Sequence, residues 1–331
     1  MRTPTATVRV LVVGPAYCDV VFGGLERLPA LGEERFAPRF LVAAGGSAIT
    51  AIALARLGHR VTLHAELGDD ALGAAVDAAL AREGVARAGP RGAGAATPVT
   101  AALSTPRDRA FVTYLPERTD HAAFARDVVA TLDERGFDHL HVAGFPVALA
   151  APGLLDAARA RSVRTSFDPG WDERALTDPR TLRFARDADV VLPNALEAAL
   201  WAAAHGVGAD HAAAHDGRPE PAAAARSERA AATVAALASV RPGRVTVVKD
   251  GDRGAWGADA SGVRHVPPVP VAAIDATGAG DVFDAGFLDA WWAGAPLADA
   301  LHRGAWCGAR ATSAYGGATA APTRAEWEAS R

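Results

Sequence analysis

The sequence contains very little sulfur and a single lysine, and both shortages limit what the protein can be. Its 331 residues include two cysteines, Cys18 and Cys307, which lie far apart and lack the paired spacing of a zinc site. We therefore expect neither a disulfide framework nor a structural zinc site. Lys249 is the only lysine, so every other basic side chain apart from histidine is an arginine, a pattern typical of a GC-rich coding bias.

The chain also lacks a basic run, a long apolar run and a rich supply of aromatic residues. A net charge of −4 and an aromatic content of 6% disfavour nucleic acid as a partner. No apolar stretch reaches the length of a membrane span, and the first residues, MRTPTATVRVLVVG, lack the apolar core of a signal peptide. We expect a cytoplasmic protein that binds neither membranes nor nucleic acid.

Half of the residues are hydrophobic, and they form short β-branched runs between alanine-rich helical patterns. VRVLVV at 8–13 and RVTVVKDG at 244–251 are two of the runs. SAITAIALARLG at 47–58 and VALAAPGLLDAARA at 147–160 are two of the helical patterns. This alternation predicts an α/β fold with a mostly parallel, doubly wound sheet flanked by helices. We expect a single domain over residues 1–331.

Three segments interrupt the alternation. Residues 15–42 and 98–118 have the pattern of extended, antiparallel segments, and in the second one VTAALST and AFVTYL flank a PRDR turn. We expect these two segments to form a small antiparallel β lid. Residues 205–228 are rich in Ala, His, Pro and Gly, which predicts a mobile surface insertion.

The clearest chemical signal is the stretch IDATGAGDVFDAGF at 274–287. Gly278, Ala279 and Gly280 would present backbone N–H groups at the positive end of a predicted helix, which makes an anion hole. Asp281 would repel an anion held there. It either caps the helix or acts as a general base toward a hydroxyl that attacks a phosphoryl group. The sequence has no GxxxxGK[ST] motif, which excludes a Walker P-loop.

DATGAGD resembles the signature of the ribokinase, or PfkB, family of carbohydrate kinases. Other stretches that resemble the family's motifs follow in its order: GPAYCDVVF (14–22), LPALGEERFAPRFLVAAGGSAITAIALARLG (28–58), LGDDALG (67–73), LPNALEA (192–198) and VVKDGDRGA (247–255). The resemblance covers nearly the whole chain apart from 205–228. It implies a ribokinase-like fold, ATP as the phosphoryl donor, Mg²⁺, a primary hydroxyl of a sugar-like acceptor, and a homodimer formed through the lid.

The resemblance also assigns residues around the phosphates. Asp281 matches the catalytic base, and the stretch 278–280 matches the anion hole. Asn194 and Glu197 match an NxxE motif, in which the glutamate supports Mg²⁺ through water. The loop that covers the nucleotide is matched by Lys249, Gly251 and Gly254.

A monovalent cation such as K⁺ is implied beside the same signature. Asp275 and Thr277 match the residues that sit at such a site in relatives. Carbonyl groups from a C-terminal loop, here around Ala311 to Gly316, would complete it.

On the acceptor side, Asp19 matches an acidic residue that binds sugar hydroxyls. Gly45 and Gly46 match the pair that lets the sugar approach the backbone. The sequence departs from the family at Thr50, where asparagine is common. A threonine offers one hydroxyl in place of an amide donor and acceptor, and this difference argues against ribose itself as the acceptor.

Two alternatives to a sugar kinase stay open. A nucleoside kinase of the same fold would need aromatic side chains around a base, for which Tyr17, Tyr114 and Trp171 are candidates. A non-catalytic ligand-binding relative would need no base, so Asp281 beside its anion hole argues against that alternative.

Overall fold

The computed structural model describes residues 6–92, 95–105, 109–116, 120–204, 206 and 223–331. The strands of these ranges are β1 (Arg9–Val13), β2 (Ala16–Gly23), β3 (Arg39–Gly46), β4 (Arg60–His64), β5 (Leu67–Gly68), β6 (Ala86–Ala88), β7 (Arg91–Gly92), β8 (Val99–Ser104), β9 (Arg109–Tyr114), β10 (His139–Ala143), β11 (Arg164–Asp168), β12 (Val190–Val191), β13 (Val245–Lys249), β14 (Ala255–Asp259) and β15 (Gly262–Val266). The helices are α1 (Ser47–Arg56), α2 (Ala71–Arg82), α3 (His121–Arg135), α4 (Phe145–Ala150), α5 (Leu154–Ala160), α6 (Glu173–Leu176), α7 (Pro179–Asp187), α8 (Ala195–Ala204), α9 (Ala223–Ser239), α10 (Ala279–Trp292), α11 (Leu297–Ala311) and α12 (Arg324–Ala329).

The main sheet has nine strands within the described ranges, in the order β15-β14-β13-β12-β11-β10-β1-β4-β6. All pairings from β6 across to β13 are parallel, whereas β14 and β15 add an antiparallel edge. The predicted α/β class is therefore confirmed. The antiparallel edge was not predicted, because the sequences AWGAD and GVRHV contain glycine and charge where a buried strand has a continuous apolar run.

Strand β1 shows how the core is divided between the two faces of the main sheet. Val10 and Val12 join one apolar cluster, which also contains residues of α1, α10 and α11. Leu11 and Val13 join the other, which contains residues of α3, α4 and α5. Successive side chains of a strand point to opposite faces, so a run of four apolar residues is needed when helices cover both.

The helical pattern predicted over residues 147–160 proves to be two helices, α4 and α5. The break falls at Pro152 and Gly153, just before α5. A proline inside a helix has no N–H to donate, and its ring collides with the preceding turn.

A second sheet has four strands in the described ranges, in the order β3-β2-β8-β9. Its two outer pairs are antiparallel, as expected from the hairpin patterns, and the central pair β2 and β8 is parallel. Strand register places Tyr17, Asp19 and Thr113 on one face, since alternate residues share a face.

The opposite face of this small sheet, here called the apolar face, includes Val20, Phe22, Phe40, Val42, Val112 and Tyr114. Phe40 is 66% exposed and Val112 is 69% exposed. An apolar sheet face open to water is unusual for an isolated chain.

The predicted insertion at 205–228 lies outside the described residues, except for Gly206 and for 223–228, where α9 begins. Among the described helices, none combines the length and the apolar character that crossing a bilayer requires.

Buried polar groups run between α10 and the main sheet. The Trp292 indole N–H donates to His139 Nδ1 at 3.2 Å, and His139 Nε2 lies 2.8 Å from Ser166 Oγ. Since His139 Nδ1 accepts, its Nε2 carries the proton and donates to Ser166, whose hydroxyl donates to His141 Nδ1 at 2.8 Å. Both histidines are fully buried and neutral, and burial lowers the pKa of His141 to about 4.

We predict that His141 makes the stability of the protein depend on pH. Below its unfolded pKa of about 6.5, the unfolded chain takes up a proton that the folded chain takes up only near 4. The contribution of His141 to the free energy of unfolding is therefore fully present above about pH 6.5 and is lost as the pH falls toward 4. Between about pH 7 and pH 5 the loss is about 2 kcal/mol.

Urea unfolding of the wild type and of His141→Asn at both pH values measures this contribution. The stability gap between the two proteins should shrink by that amount at the lower pH. The same substitution at the exposed His302 controls for the loss of a histidine. A gap that stays constant with pH would show that His141 is not held neutral by the fold.

Candidate active site

The start of helix α10 is shaped by a close approach of two backbone segments. Gly278, the residue before the helix, has φ +69, and a Cβ there would lie 2.6 Å from Gly317 Cα. Only glycine fits this position. The N–H groups of the first helical turn lack intrahelical partners, and the helix dipole adds positive potential. Ala279 N–H makes only a long bond of 3.3 Å, to Ala276 O. The predicted anion hole therefore has the backbone geometry to bind an anion.

Asp281 lies in the first turn of α10 and is half-buried. Its Oδ1 accepts a hydrogen bond of 3.1 Å from Thr50 Oγ1. Burial and the negative charge of Asp168 raise the pKa of Asp281 to about 7, while Lys249 and the Thr50 hydroxyl act in the opposite direction. A carboxylate with a pKa near neutrality has the basicity that a general base needs.

Asp19 approaches from the small sheet and is also buried. A Cβ on Gly45 would lie 2.1 Å from the Asp19 carboxylate, so this side chain rests directly on the glycine backbone. Burial, Asp281 and Asp275 raise the pKa of Asp19 to about 7. Gly46 has φ +60, and the chain turns there from β3 into α1. The structure thus brings the predicted acceptor residues next to Asp281.

Lys249 forms a buried ion cluster with two carboxylates beneath the anion hole. Its Nζ lies 3.0 Å from Asp168 Oδ2 and 3.0 Å from Asp284 Oδ1. A Cβ on Gly280 would lie 3.4 Å from the same Nζ, so the ammonium underlies the hole. Lys249 is thus bound to protein carboxylates at the floor of the site.

The two carboxylates of this cluster differ in acidity. Burial raises the pKa of Asp284, which is completely enclosed, well above its usual range. Burial acts in the same direction on Asp168, but Lys249 and a hydrogen bond from Asp284 outweigh it and lower the pKa of Asp168. Asp168 is therefore the more acidic of the two, and a proton bound by the pair resides preferentially on Asp284.

Asn194 and Glu197 form a reciprocal cap at the start of α8. Glu197 N–H donates to Asn194 Oδ1 at 2.9 Å, and Asn194 N–H donates to Glu197 Oε2 at 2.8 Å. Glu197 is buried, and burial followed by the charge of Asp168 raises its pKa to about 7. Asn194 also forms a backbone bridge to Lys249, so the cap adjoins the ion cluster.

The two glycines predicted for the nucleotide loop lie in the turn between β13 and β14. Gly251 has φ +59 and Gly254 has φ +90. A Cβ on Gly254 would lie 2.0 Å from Val266 O, while the space around Gly251 is open. Lys249 lies at the end of β13, with its side chain directed under the hole, apart from the turn formed by the two glycines.

Asp275 and Thr277 are joined by two hydrogen bonds just before α10. Asp275 Oδ1 accepts from Thr277 N–H at 3.0 Å and from Thr277 Oγ1 at 2.7 Å. Asp275 Oδ2 accepts from Gly316 N–H at 3.0 Å, which ties the anion hole to the C-terminal loop. In the part of the chain that the structure describes, no group of three or more His, Cys, Asp and Glu side chains could hold a metal ion.

A cavity of about 1380 Å³ opens beside this site rather than over Asp281. It is lined mainly by α3, α4 and the loops around Leu67 and Pro98. Pro15, which lines the cavity, accepts backbone and side-chain hydrogen bonds from Ser47 at 3.0 and 2.9 Å. The cavity thus reaches the turn where β3 passes into α1.

Sequence reasoning missed two carboxylates of the site, Asp168 and Asp284, which contact Lys249. Both had a local signal. Asp284 follows Asp281 by three residues, a spacing that puts two side chains on one helical face. Asp168 ends a predicted parallel strand, at the sheet edge where α/β proteins bind ligands.

Comparison with known proteins identifies the family. The pattern of the pfkB family carbohydrate kinases matches residues 10–324. The chain belongs to this family. The resemblance seen in the sequence is thereby confirmed, and the protein is a carbohydrate kinase.

Two characterised relatives are similar in sequence. Fructokinase of Klebsiella pneumoniae is 31% identical over 174 residues, which cover 51% of each chain. The ATP-dependent ribose-1-phosphate kinase of Halopiger xanaduensis is 29% identical over 322 residues, which cover 96% of this chain and 95% of that enzyme.

Solved structures share the fold. The ribokinase from Cryptococcus neoformans in complex with ADP matches with a TM-score of 0.76 and 22% identity, covering 98% of this PfkB-family chain and 100% of that one. A ribokinase II from E. coli, solved with ATP and Mg²⁺, matches with a TM-score of 0.76 and 21% identity, covering 97% and 98%.

The ion cluster predicts that replacing Lys249 and replacing Asp284 lower the free energy of unfolding by unequal amounts. Lys249→Met leaves Asp168 buried without a counter-ion, and we expect a loss of about 3–5 kcal/mol in the free energy of unfolding. Asp284→Asn keeps a donor toward Asp168 and leaves the more acidic carboxylate beside Lys249, so its cost should be smaller, about 1 kcal/mol.

Urea unfolding of the two variants and of the wild type at neutral pH compares these costs. Equal losses in Lys249→Met and Asp284→Asn would contradict the assignment of the proton to Asp284.

Proposed function

We propose that this carbohydrate kinase transfers the γ-phosphoryl group of ATP to a primary hydroxyl of a sugar or sugar-like acceptor. The observation that carries the proposal is Asp281. It is a carboxylate of raised pKa at the edge of a glycine-lined helix start, and it lies close enough to Asp19 for its charge to raise the pKa of that carboxyl.

In this reaction Asp281 takes the proton of the acceptor hydroxyl as its oxygen attacks the γ-phosphorus, and the bond to ADP breaks. The N–H groups at 278–280 stabilise the charge that develops on the phosphoryl oxygens. Asp19, supported by Gly45 and Gly46, binds acceptor hydroxyls and orients the attacking one. Gly251 and Gly254 form the turn that approaches the nucleotide.

The residues fit a divalent cation held partly through water. Asp168, Glu197 and Asp281 surround a single ammonium, so a bound nucleotide would meet an excess of negative charge. Mg²⁺ keeps several waters and binds phosphates rather than all-protein cages. We assign Asn194 and Glu197 to holding Mg²⁺ through water. When bound, the ion neutralises the charge on the phosphates.

A monovalent cation beside Asp275 is a separate proposal. It is supported by a buried carboxylate next to the C-terminal loop, although both oxygens of that carboxylate already accept hydrogen bonds from the protein. Comparing rates in K⁺, Na⁺ and choline salts measures whether such an ion acts.

A nucleoside kinase is the alternative, and the positions of Tyr17 and Tyr114 disfavour it. Tyr17 lies on the Asp19 face of the small sheet, whereas Tyr114 lies on the apolar face. These two rings cannot enclose one base. A ligand-binding protein without activity would have no use for the raised pKa of Asp281.

The test is ADP release from Mg-ATP across D-fructose, D-ribose, ribose 1-phosphate, sugar acids and nucleosides. We predict one acceptor class that accelerates release, and a fall of about 10²- to 10⁴-fold in Asp281→Asn. The wild-type rate should rise as the pH increases through about 7, since the base acts when deprotonated.

Binding of ATP, measured by calorimetry, should be retained in Asp281→Asn, which controls for misfolding. An acceptor-dependent rate that survives this substitution would remove Asp281 from the role of base.

We further propose that the small sheet is the lid and that the apolar face joins two chains in a homodimer. The support is the exposed, uncharged character of Phe40, Val42, Val112 and Tyr114, which a second copy of the sheet would cover.

Light scattering after size exclusion should give a dimer for the wild type and a monomer for the double variant Phe40→Asp with Val112→Asp. Phe111→Asp, on the other face of the same sheet, should remain a dimer. A monomeric wild type at high concentration would overturn this proposal.

A further inference from the structure

The Thr50 side chain has a partner that its position in the sequence did not suggest. Thr50 lies in the first turns of α1, just after Gly45 and Gly46, and is completely buried. Its hydroxyl contacts Asp281 Oδ1 at 3.1 Å, across 231 residues of sequence. The contact joins α1 to the first turn of α10, two helices that pack along their length.

We propose that Thr50 is a positioning residue for the general base, rather than a contact for the acceptor. A hydroxyl has one proton to donate, and this one is directed to the Asp281 carboxylate. An acceptor that used Thr50 as a donor would have to break that bond. This inference rests on the proposed role of Asp281 as base.

The surroundings of Thr50 restrict its side chain and so hold its hydroxyl in one orientation. Threonine is β-branched, so its χ1 angle is restricted in a helix. The neighbours Ala48, Ile49, Ala51 and Ile52 are buried and apolar. A hydroxyl held in such surroundings orients the carboxylate and favours its charged form.

Other charged groups act on the same carboxylate from every element around it. Like charges from β2, β11 and α8 disfavour its ionised form, the ammonium from β13 favours it, and Asp284 lies one turn further along α10. These groups are Asp19, Asp168, Glu197, Lys249 and Asp284, together with the Tyr17 phenol, whose pKa burial and these acids raise to about 12. Unlike these groups, Thr50 acts on Asp281 without being ionisable. Removing its hydroxyl therefore changes the pKa of Asp281 while the net charge of the site stays the same.

The test compares Thr50→Val, which has nearly the same shape but no hydroxyl, with Thr50→Ser, which restores the hydroxyl. With the best acceptor of the panel, Thr50→Val should lower kcat about tenfold, the rate equivalent of one hydrogen bond to a charged group. The acceptor KM should stay within about twofold of the wild type. The acid limb of the kcat profile should move to higher pH, and Thr50→Ser should recover most of kcat.

Three results would overturn the inference. A raised acceptor KM with unchanged kcat would make Thr50 an acceptor contact. A loss that serine does not rescue, accompanied by a lower melting temperature, would give Thr50 a packing role only. An acid limb that stays in place would show that the hydroxyl does not act on the base.

A second measurement separates this inference from the proposed function. Infrared titration of the free protein can follow the carboxyl band that Asp281→Asn removes. The midpoint of this band should rise in Thr50→Val and return in Thr50→Ser, whatever the enzyme phosphorylates. If Asp281→Asn remains active while the band shifts, the base assignment fails but the contact stands. If the band does not shift, the inference fails.

Discussion

The geometry of the site depends on one buried ammonium ion. Lys249 links the end of β13 to Asp168 at the end of β11 and to Asp284 on α10. Asp281 precedes Asp284 by one helical turn on the same face, so the contact that fixes Asp284 also fixes the position of Asp281, the proposed base. The only lysine of the chain stands at this point. Its compact ammonium fits beneath Gly280, where the planar guanidinium of arginine would need more room.

The balance of charge around that ammonium explains the chemistry proposed for the site. Burial raises the pKa of Asp19, Glu197 and Asp281 to about 7, and it raises the pKa of Asp284 well above its usual range. Carboxylates in this state can exchange protons near neutral pH. Their negative charge opposes the binding of phosphate at the anion hole, and the divalent cation proposed for the reaction would offset it. The same excess of acidic groups thus affects both the binding of the phosphates and the proposed proton transfer.

The small sheet has two different faces because its strands alternate in composition. Asp19 lies on the face of the sheet that adjoins Asp281, and the next residue along β2, Val20, lies on the opposite face. A one-residue slip in register would turn the acid outward and bury an apolar side chain in the site. The pairing of β2 with β3 and β8 therefore controls both the acceptor side of the site and the surface proposed for dimer formation.

The sequence by itself determined the α/β class, the start of α10 at the GAGD stretch and the order of the family motifs, because each depends on neighbouring residues. It also indicated Asp19, Gly45 and Asp281 as parts of one site. Tertiary structure decided which distant side chains contact one another. Lys249 meets Asp168 across 81 residues, and Thr50 meets Asp281 across 231. Local periodicity records which face of an element is buried. It does not predict which distant side chain will contact that face, since such contacts depend on how strands and helices pack.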